Sequence, residues 1–187
     1  TKEAKVVGFS SDGKTFNGSG RKGNKATNTC DKRNCNVFNF FDASSALCHA
    51  VIPLDDKDSE IPTFQKVLNK FNLKDTMITA DALHCQRKTV EIINKKGGLY
   101  CIKVKDNQPG FKQHIIDVIK LNQSKCVRMS FNNCDYEIFI IDYKTNELDF
   151  PGAKAYIRMN SHKRKDQADY NPEDQYFVSS ADNPQLI

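Results

Sequence analysis

The sequence predicts an α/β protein organised on one mixed β-sheet, and three observations predict it. Thr76 to Pro109 reads strand, helix, strand; β-type runs precede it; and apolar residues recur at helical spacing on either side. Within the first, Met77, Ile78 and Ala80 form a short apolar run that stops at Asp81. Gln86 to Lys96 then carries Val90 and Ile93 at helical spacing, with Ile92 on the flank. Gly97-Gly98 ends that helix, because glycine enters the left-handed conformation of a helix C-terminus without a Cβ penalty. Leu99 to Val104 is the second strand, broken by Asn107-Gln108-Pro109. A buried strand, a crossover helix and a second buried strand make a parallel βαβ unit. Ligands of such units lie beyond the carboxyl ends of the strands, where Asp81 ends the first and Lys105, Asp106 and Asn107 follow the second.

The remaining elements follow in chain order. Lys5–Phe9 is a strand leading into Ser10–Thr15, so Asp12 stands at or near a strand end beside Gly13; the alternative is a plain Asp-Gly turn. Gly18 to Asn36 is a glycine-rich basic loop holding Arg21, Lys22, Lys25, Lys32 and Arg33, either a phosphate-contacting surface or a solvated one. Cys30 and Cys35 lack a second pair at matching spacing, which argues against a zinc site. Val37–Phe41 and Ala46–Pro53 are strands joined by a hairpin loop, Asp42–Ser45. Asp58 or Ser59 caps the next helix, Pro62 sits in its first turn, and Phe64, Val67, Leu68 and Phe71 form its apolar face. Three antiparallel strands feeding a parallel β-α-β-α-β run is the ribonuclease H-like plan. Phe111–Leu121 is a further amphipathic helix, on which His114 reads as a packing residue rather than a ligand. The pattern then turns to β, with strands at Glu137–Tyr143, Lys154–Arg158 and Gln175–Ser179 and a basic loop, His162–Lys165, between the last two. The division this suggests is a core over residues 1–121 and a β-rich insertion over 122–187.

Composition narrows the class. A chain of 187 residues, 39% hydrophobic and 27% charged, has the makeup of a soluble globular domain and is long enough to bury a core. It holds no run of about 18 apolar residues, so no membrane-spanning helix is expected, and Thr1–Ser10 lacks the shape of a signal peptide. A net charge of +5 leans mildly toward a polyanionic partner. The seven cysteines form no short regular framework and read as reduced thiols, hence a cytoplasmic protein.

The chemistry rests on Asp12 and Asp81. In a ribonuclease H-like sheet their strands are central neighbours, so the two carboxylates converge. Carboxylates are hard oxygen donors suited to Mg2+ or Mn2+. Metal pairs about 3.5–4 Å apart serve phosphodiester chemistry by activating the nucleophile and stabilising the leaving oxygen.

Two stretches carry a family resemblance. Asp12–Ser19, DGKTFNGS, resembles the first-aspartate motif of insertion-sequence DDE transposases of the H-repeat-associated kind. Ile78–Pro109 is similar to the second-aspartate block, with matches at Asp81-Ala82, Cys85-Gln86, Gly97-Gly98 and Lys105-x-Asn107-Gln108-Pro109. Tyr176–Ser180 resembles the last strand of the family's β insertion. The resemblance implies Asp12 and Asp81 as catalytic metal ligands, Mg2+ or Mn2+ as cofactor, DNA as partner, and action as a dimer on DNA. The DNA contacts it suggests are Lys14, Arg21, Lys22, Lys25, Lys32, Arg33, Lys105, Asn107, Lys163, Arg164 and Lys165.

Two departures accompany it. The family's third acid is a glutamate on a helix after the Tyr-Phe-Val-Ser-Ser strand, and the sequence given ends at Ile187, soon after that strand and with no tryptophan anywhere. Where the family has His-Gly-Arg-Ile-Glu, this chain reads Asn133-Cys134-Asp135-Tyr136-Glu137. The expectation is a chain that is catalytically poor by itself, with Asp106 the first substitute for the third acid and Asp135 and Glu137 behind it. Three readings therefore stand: a transposase catalytic core truncated before its third acid, a degenerate relative that binds nucleic acid or protein without catalysis, and an unrelated α/β metal-dependent hydrolase.

Overall fold

The structure, a computed structural model, describes residues 7–16, 35–42, 45–54, 60–122, 126–131, 134–140, 150–161 and 174–183. The basic residues Arg21, Lys22, Lys25, Lys32, Arg33, Lys163, Arg164 and Lys165, together with Cys30 and the Asp58/Ser59 cap, lie outside the described residues.

One sheet organises the described chain. Its strands are β1 (Val7–Phe16), β2 (Cys35–Asp42), β3 (Leu47–Leu54), β4 (Thr76–Ala80), β5 (Leu99–Val104), β6 (Cys126–Phe131), β7 (Cys134–Ile140), β8 (Ala155–Ser161) and β9 (Gln175–Ser179). They lie in the order β3-β2-β1-β4-β5-β9-β8-β7-β6. β1, β4 and β5 are parallel neighbours, while β3-β2-β1 on one side and β5-β9-β8-β7-β6 on the other are antiparallel. Three antiparallel strands followed by two parallel crossovers is the ribonuclease H-like order. The stretch after residue 121 continues this sheet, because β9 pairs with β5.

The helices α1 (Glu60–Lys70), α2 (Arg87–Lys95) and α3 (Pro109–Leu121) supply one apolar face each. Phe64, Val67 and Leu68 of α1, Val90 and Ile93 of α2, and Phe111, Ile115 and Ile119 of α3 share a cluster with Phe9, Phe38, Phe40, Ile78, Tyr100, Ile102, Val104, Tyr156 and Val178 of the strands. Strand alternation puts Cys101, Ile138, Ile157 and Phe177 on the other face, where they join a smaller cluster. Lys96 links two helices, its ammonium donating to the terminal carbonyls of α1 at Leu68 (3.0 Å) and Asn69 (2.7 Å). Those carbonyls have no partner inside their own helix. His114 packs edge-on against Tyr156, with ring centroids 5.8 Å apart, as a packing histidine does.

Four features depart from the sequence expectation. β1 runs to Phe16, so Asp12-Gly13 is neither a turn nor a strand end. β2 pairs with β1 from Phe9 to Phe16 and accepts its backbone groups well beyond the point where β4 stops. Ala46 is in the hairpin turn, at φ 58°, not in β3. β6, unread in the sequence, is an edge strand that among the described residues pairs only with β7. The strand expected at Glu137–Tyr143 begins at Cys134, where β7 meets β6.

Gly97 sits at φ +73°, and Gly98 N–H donates to Ile93 O at 3.0 Å, closing α2 as the glycine pair predicts. Gly97→Ala forces a Cβ into the left-handed region, and an equilibrium urea titration is expected to show a loss of about 1 kcal/mol.

Candidate active site

The parallel register brings the two aspartates together along the backbone. The last β1–β4 pair is Ser11 with Ala80, so Asp12 and Asp81 are the next residues on adjacent strands. Neighbouring strands lie about 4.8 Å apart. Asp12 is still inside the sheet, opposite Asn39 of β2. Asp81 is exposed and extended, at φ −76° and ψ 177°, and caps the short 3-10 turn Ala82–His84. Its Oδ1 accepts from Leu83 N–H at 2.9 Å, which fixes the carboxylate's orientation.

Buried contacts hold that turn. His84 is fully buried, with Nε2 3.1 Å from Glu60 Oε1 on α1. Its ring packs against Phe64 and Phe38, with centroids 4.5 and 6.1 Å away. From the other side, Asn107 Nδ2 donates to Ala82 O at 2.9 Å, and Gln108 Nε2 donates to Cys85 O. The Asn107-Gln108 pair therefore clamps the loop after β5 onto the loop after β4, a role the sequence reading had not assigned it. Between these loops a cleft of about 610 Å3 is lined by Gln86, Arg87, Asn107, Gln108, Phe111 and Phe150. The first turns of α2 and α3 contain no acidic residue, and both open on this cleft.

The other sequence-predicted positions are spread out. Lys14 is on β1 opposite Val37. Lys105 is exposed just past β5. Asp106 is exposed and paired with Lys112 at 2.7 Å, and the Lys112 ammonium holds its carboxyl below the usual range. Glu137 lies between Arg128 and Arg158, and Asp135 accepts from Ser130 Oγ at 2.6 Å, both on β7. β7 is separated from β5 by β8 and β9. Among the described residues no group of three His, Cys, Asp or Glu side chains is placed to hold a metal ion. Asp81 is nonetheless a suitable oxygen donor, exposed and with Oδ2 making no hydrogen bond among the described residues.

Sequence reading missed Lys103. It sits inside an otherwise apolar strand, LYCIKV, and the signal for it was strand alternation: Tyr100, Ile102 and Val104 face the helices, so Lys103 shares the opposite face with Cys101.

The class these features define is that of ribonuclease H-like proteins with an acidic pair at adjacent positions on two central parallel strands. Within that class, the Transposase DDE domain family matches residues 5–151, and the chain belongs to that family. Relatives include the "H repeat-associated putative transposase YhhI" of Escherichia coli K12, 28% identical over 59% of this chain and 27% of its own length. The "H repeat-associated putative transposase YbfD" of the same organism is 36% identical over 38% of this chain and 28% of its own. The "Putative transposase YncI" of Escherichia coli O157:H7 is 24% identical over 91% of this chain and 46% of its own. The chain thus spans less than half the length of each of these three relatives. A solved structure of a piggyBac transposase synaptic complex with hairpin DNA aligns with 94% of this chain and 33% of its own, at 12% identity and a TM-score of 0.48. Among the described residues no helix is long and apolar enough to cross a membrane.

Proposed function

We propose that this chain is catalytic-core sequence of a DDE transposase, acting on DNA by divalent-metal-dependent phosphodiester hydrolysis and strand transfer. The observation that carries the proposal is the β1–β4 register, which makes Asp12 and Asp81 neighbours on parallel strands of a family member. The two carboxylates supply hard oxygen donors for one Mg2+ or Mn2+. A divalent ion held there supplies Lewis-acid stabilisation for phosphodiester chemistry. Leu83 N–H keeps the Asp81 carboxylate aimed, and Asn107 holds the backbone beneath it. The positive helix ends beside the cleft favour an anion such as a DNA phosphate over a cationic partner.

Lys14, Lys105, Asn107 and the basic residues Arg21, Lys22, Lys25, Lys32, Arg33, Lys163, Arg164 and Lys165 are the proposed DNA contacts, and a dimer on DNA is the proposed assembly. Phosphate contacts make affinity salt-dependent, so Lys105→Gln is expected to flatten the log–log salt slope of DNA binding by about 1. Fluorescence anisotropy across a salt series measures it, and an unchanged slope would remove Lys105 from the interface.

A second reading, a fold that binds nucleic acid without cutting it, is favoured by one observation. Asp106, Asp135 and Glu137 are all engaged by other side chains, and none forms a three-acid group with Asp81. Incubating supercoiled DNA with the chain and Mg2+ or Mn2+ separates the two readings. Nicking that disappears in Asp12→Ala supports the first; binding without nicking supports the second.

A further inference from the structure

Resting on the assignment of Asp12 and Asp81 as metal ligands, we propose that Lys103 is a positioning residue of the same site. Its ammonium offsets the acidic pair in the free protein, weakens the hold on a divalent ion there, and makes metal and DNA phosphate bind in mutual support.

The register places it. β4 pairs with β5 as far as Ala80 with Ile102, so the rung that continues past both parallel ladders runs Asp12, Asp81, Lys103. Both ends of that rung remain in the sheet, Asp12 opposite Asn39 and Lys103 opposite Phe177. A lysine in a central strand pays a desolvation penalty unless opposite charge is near. Lys103 is half-buried and makes no ion pair within the described residues; its amine donates to Gln175 Oε1 at 2.5 Å. An ammonium has three protons to donate, so two remain for a ligand. The electrostatics agree with the register: burial and then Lys105 lower the Lys103 pKa, while the Asp81 carboxylate opposes them.

The charge balance has a direct consequence. Counted along the backbone rung, Asp12 and Asp81 against Lys103 and Lys105 come to zero formal charge before any ligand arrives. A dication entering alone meets a site already offset by fixed cations. A DNA phosphate that draws the Lys103 ammonium to itself removes part of that offset, so each ligand improves the site for the other.

The test is Mn2+ titration of the 187-residue chain, followed by electron paramagnetic resonance, for wild type, Lys103→Gln, Lys103→Arg and Asp81→Asn. Circular dichroism melts confirm that each variant folds. Lys103→Gln is expected to tighten Mn2+ in the free protein by about five- to tenfold, the effect of one charge on a dication about 7 Å away in a water-like dielectric. Lys103→Arg keeps the wild-type affinity, and Lys103→Gln loses the gain in DNA affinity that Mn2+ gives wild type. Unchanged or weaker Mn2+ binding in Lys103→Gln, with Asp81→Asn impaired, overturns the role of Lys103 and leaves the acid pair standing. Wild-type Mn2+ affinity in Asp81→Asn overturns the acid pair, and the role of Lys103 with it.

Discussion

Asp81→Asn is expected to lower any metal-dependent DNA cleavage by this chain by at least about 10²–10³-fold, the scale of losing one electrostatic stabiliser of the transition state. The fold should survive the change. Asparagine caps a helical turn about as well as aspartate, and its amide oxygen can still accept from Leu83 N–H. Its melting temperature without metal should therefore match the wild type, which separates lost chemistry from lost structure. The same variant should lose stabilisation by metal. A ligand that binds only the native state at ten times its Kd adds about 1.4 kcal/mol, so saturating Mg2+ should raise the wild-type Tm and leave Asp81→Asn unmoved. A wild-type Tm indifferent to Mg2+ and Mn2+ would count against a metal site.

The largest stability effect is expected at Phe40. Its side chain is fully buried on β2, stacked on Phe9 with centroids 4.8 Å apart and packed against Phe71 at 5.0 Å and Phe64 at 6.5 Å. It thereby connects β1, which carries Asp12, to α1. Phe40→Ala removes that wedge and leaves a cavity ringed by aromatic groups that cannot easily collapse. The expected cost is about 3–5 kcal/mol, a large share of a domain's usual stability of about 5–15 kcal/mol. Chemical denaturation read by circular dichroism measures it. A loss below about 1.5 kcal/mol, the range of well-tolerated apolar swaps, would mean that the β2–α1 layer repacks freely.

The centre of the fold was legible because its elements obey simple periodicities. β4, α2, β5 and α3 follow from an apolar run, a helical stripe and a glycine pair, and the structure places them within two residues of the expected bounds. β1 was not legible in full. Its parallel partner ends at Ala80, but its antiparallel partner carries pairing on to Phe16, and that extension depends on β2, far away in sequence. β6 escaped because an edge strand with one partner needs little apolar content; Cys126-Val127-Arg128-Met129-Ser130-Phe131 mixes polar and apolar residues, and most of its side chains are exposed.

The candidate site shows the same division. Asp81 could be found from its place after a short apolar strand. Its tie to Asp12 required strand order, which the ribonuclease H-like reading supplied and the parallel β1–β4 pairing matches. The supporting contacts were hidden, because each joins residues distant in the chain: Glu60 to His84, Asn107 to Ala82 and Gln175 to Lys103. No local pattern encodes such pairs, and they emerge only when the sheet assembles.

The shared divalent ion proposed for Asp12 and Asp81 can be looked for directly. A crystal of this chain soaked in Mn2+, with anomalous diffraction recorded, tests it most directly. An anomalous peak is expected within about 2.0–2.5 Å of an oxygen from each of the two carboxylates, the span of hard-cation to oxygen bonds. A map with no peak at that pair under saturating Mn2+, or with the ion bound at other residues while Asp12 and Asp81 point apart, would contradict it.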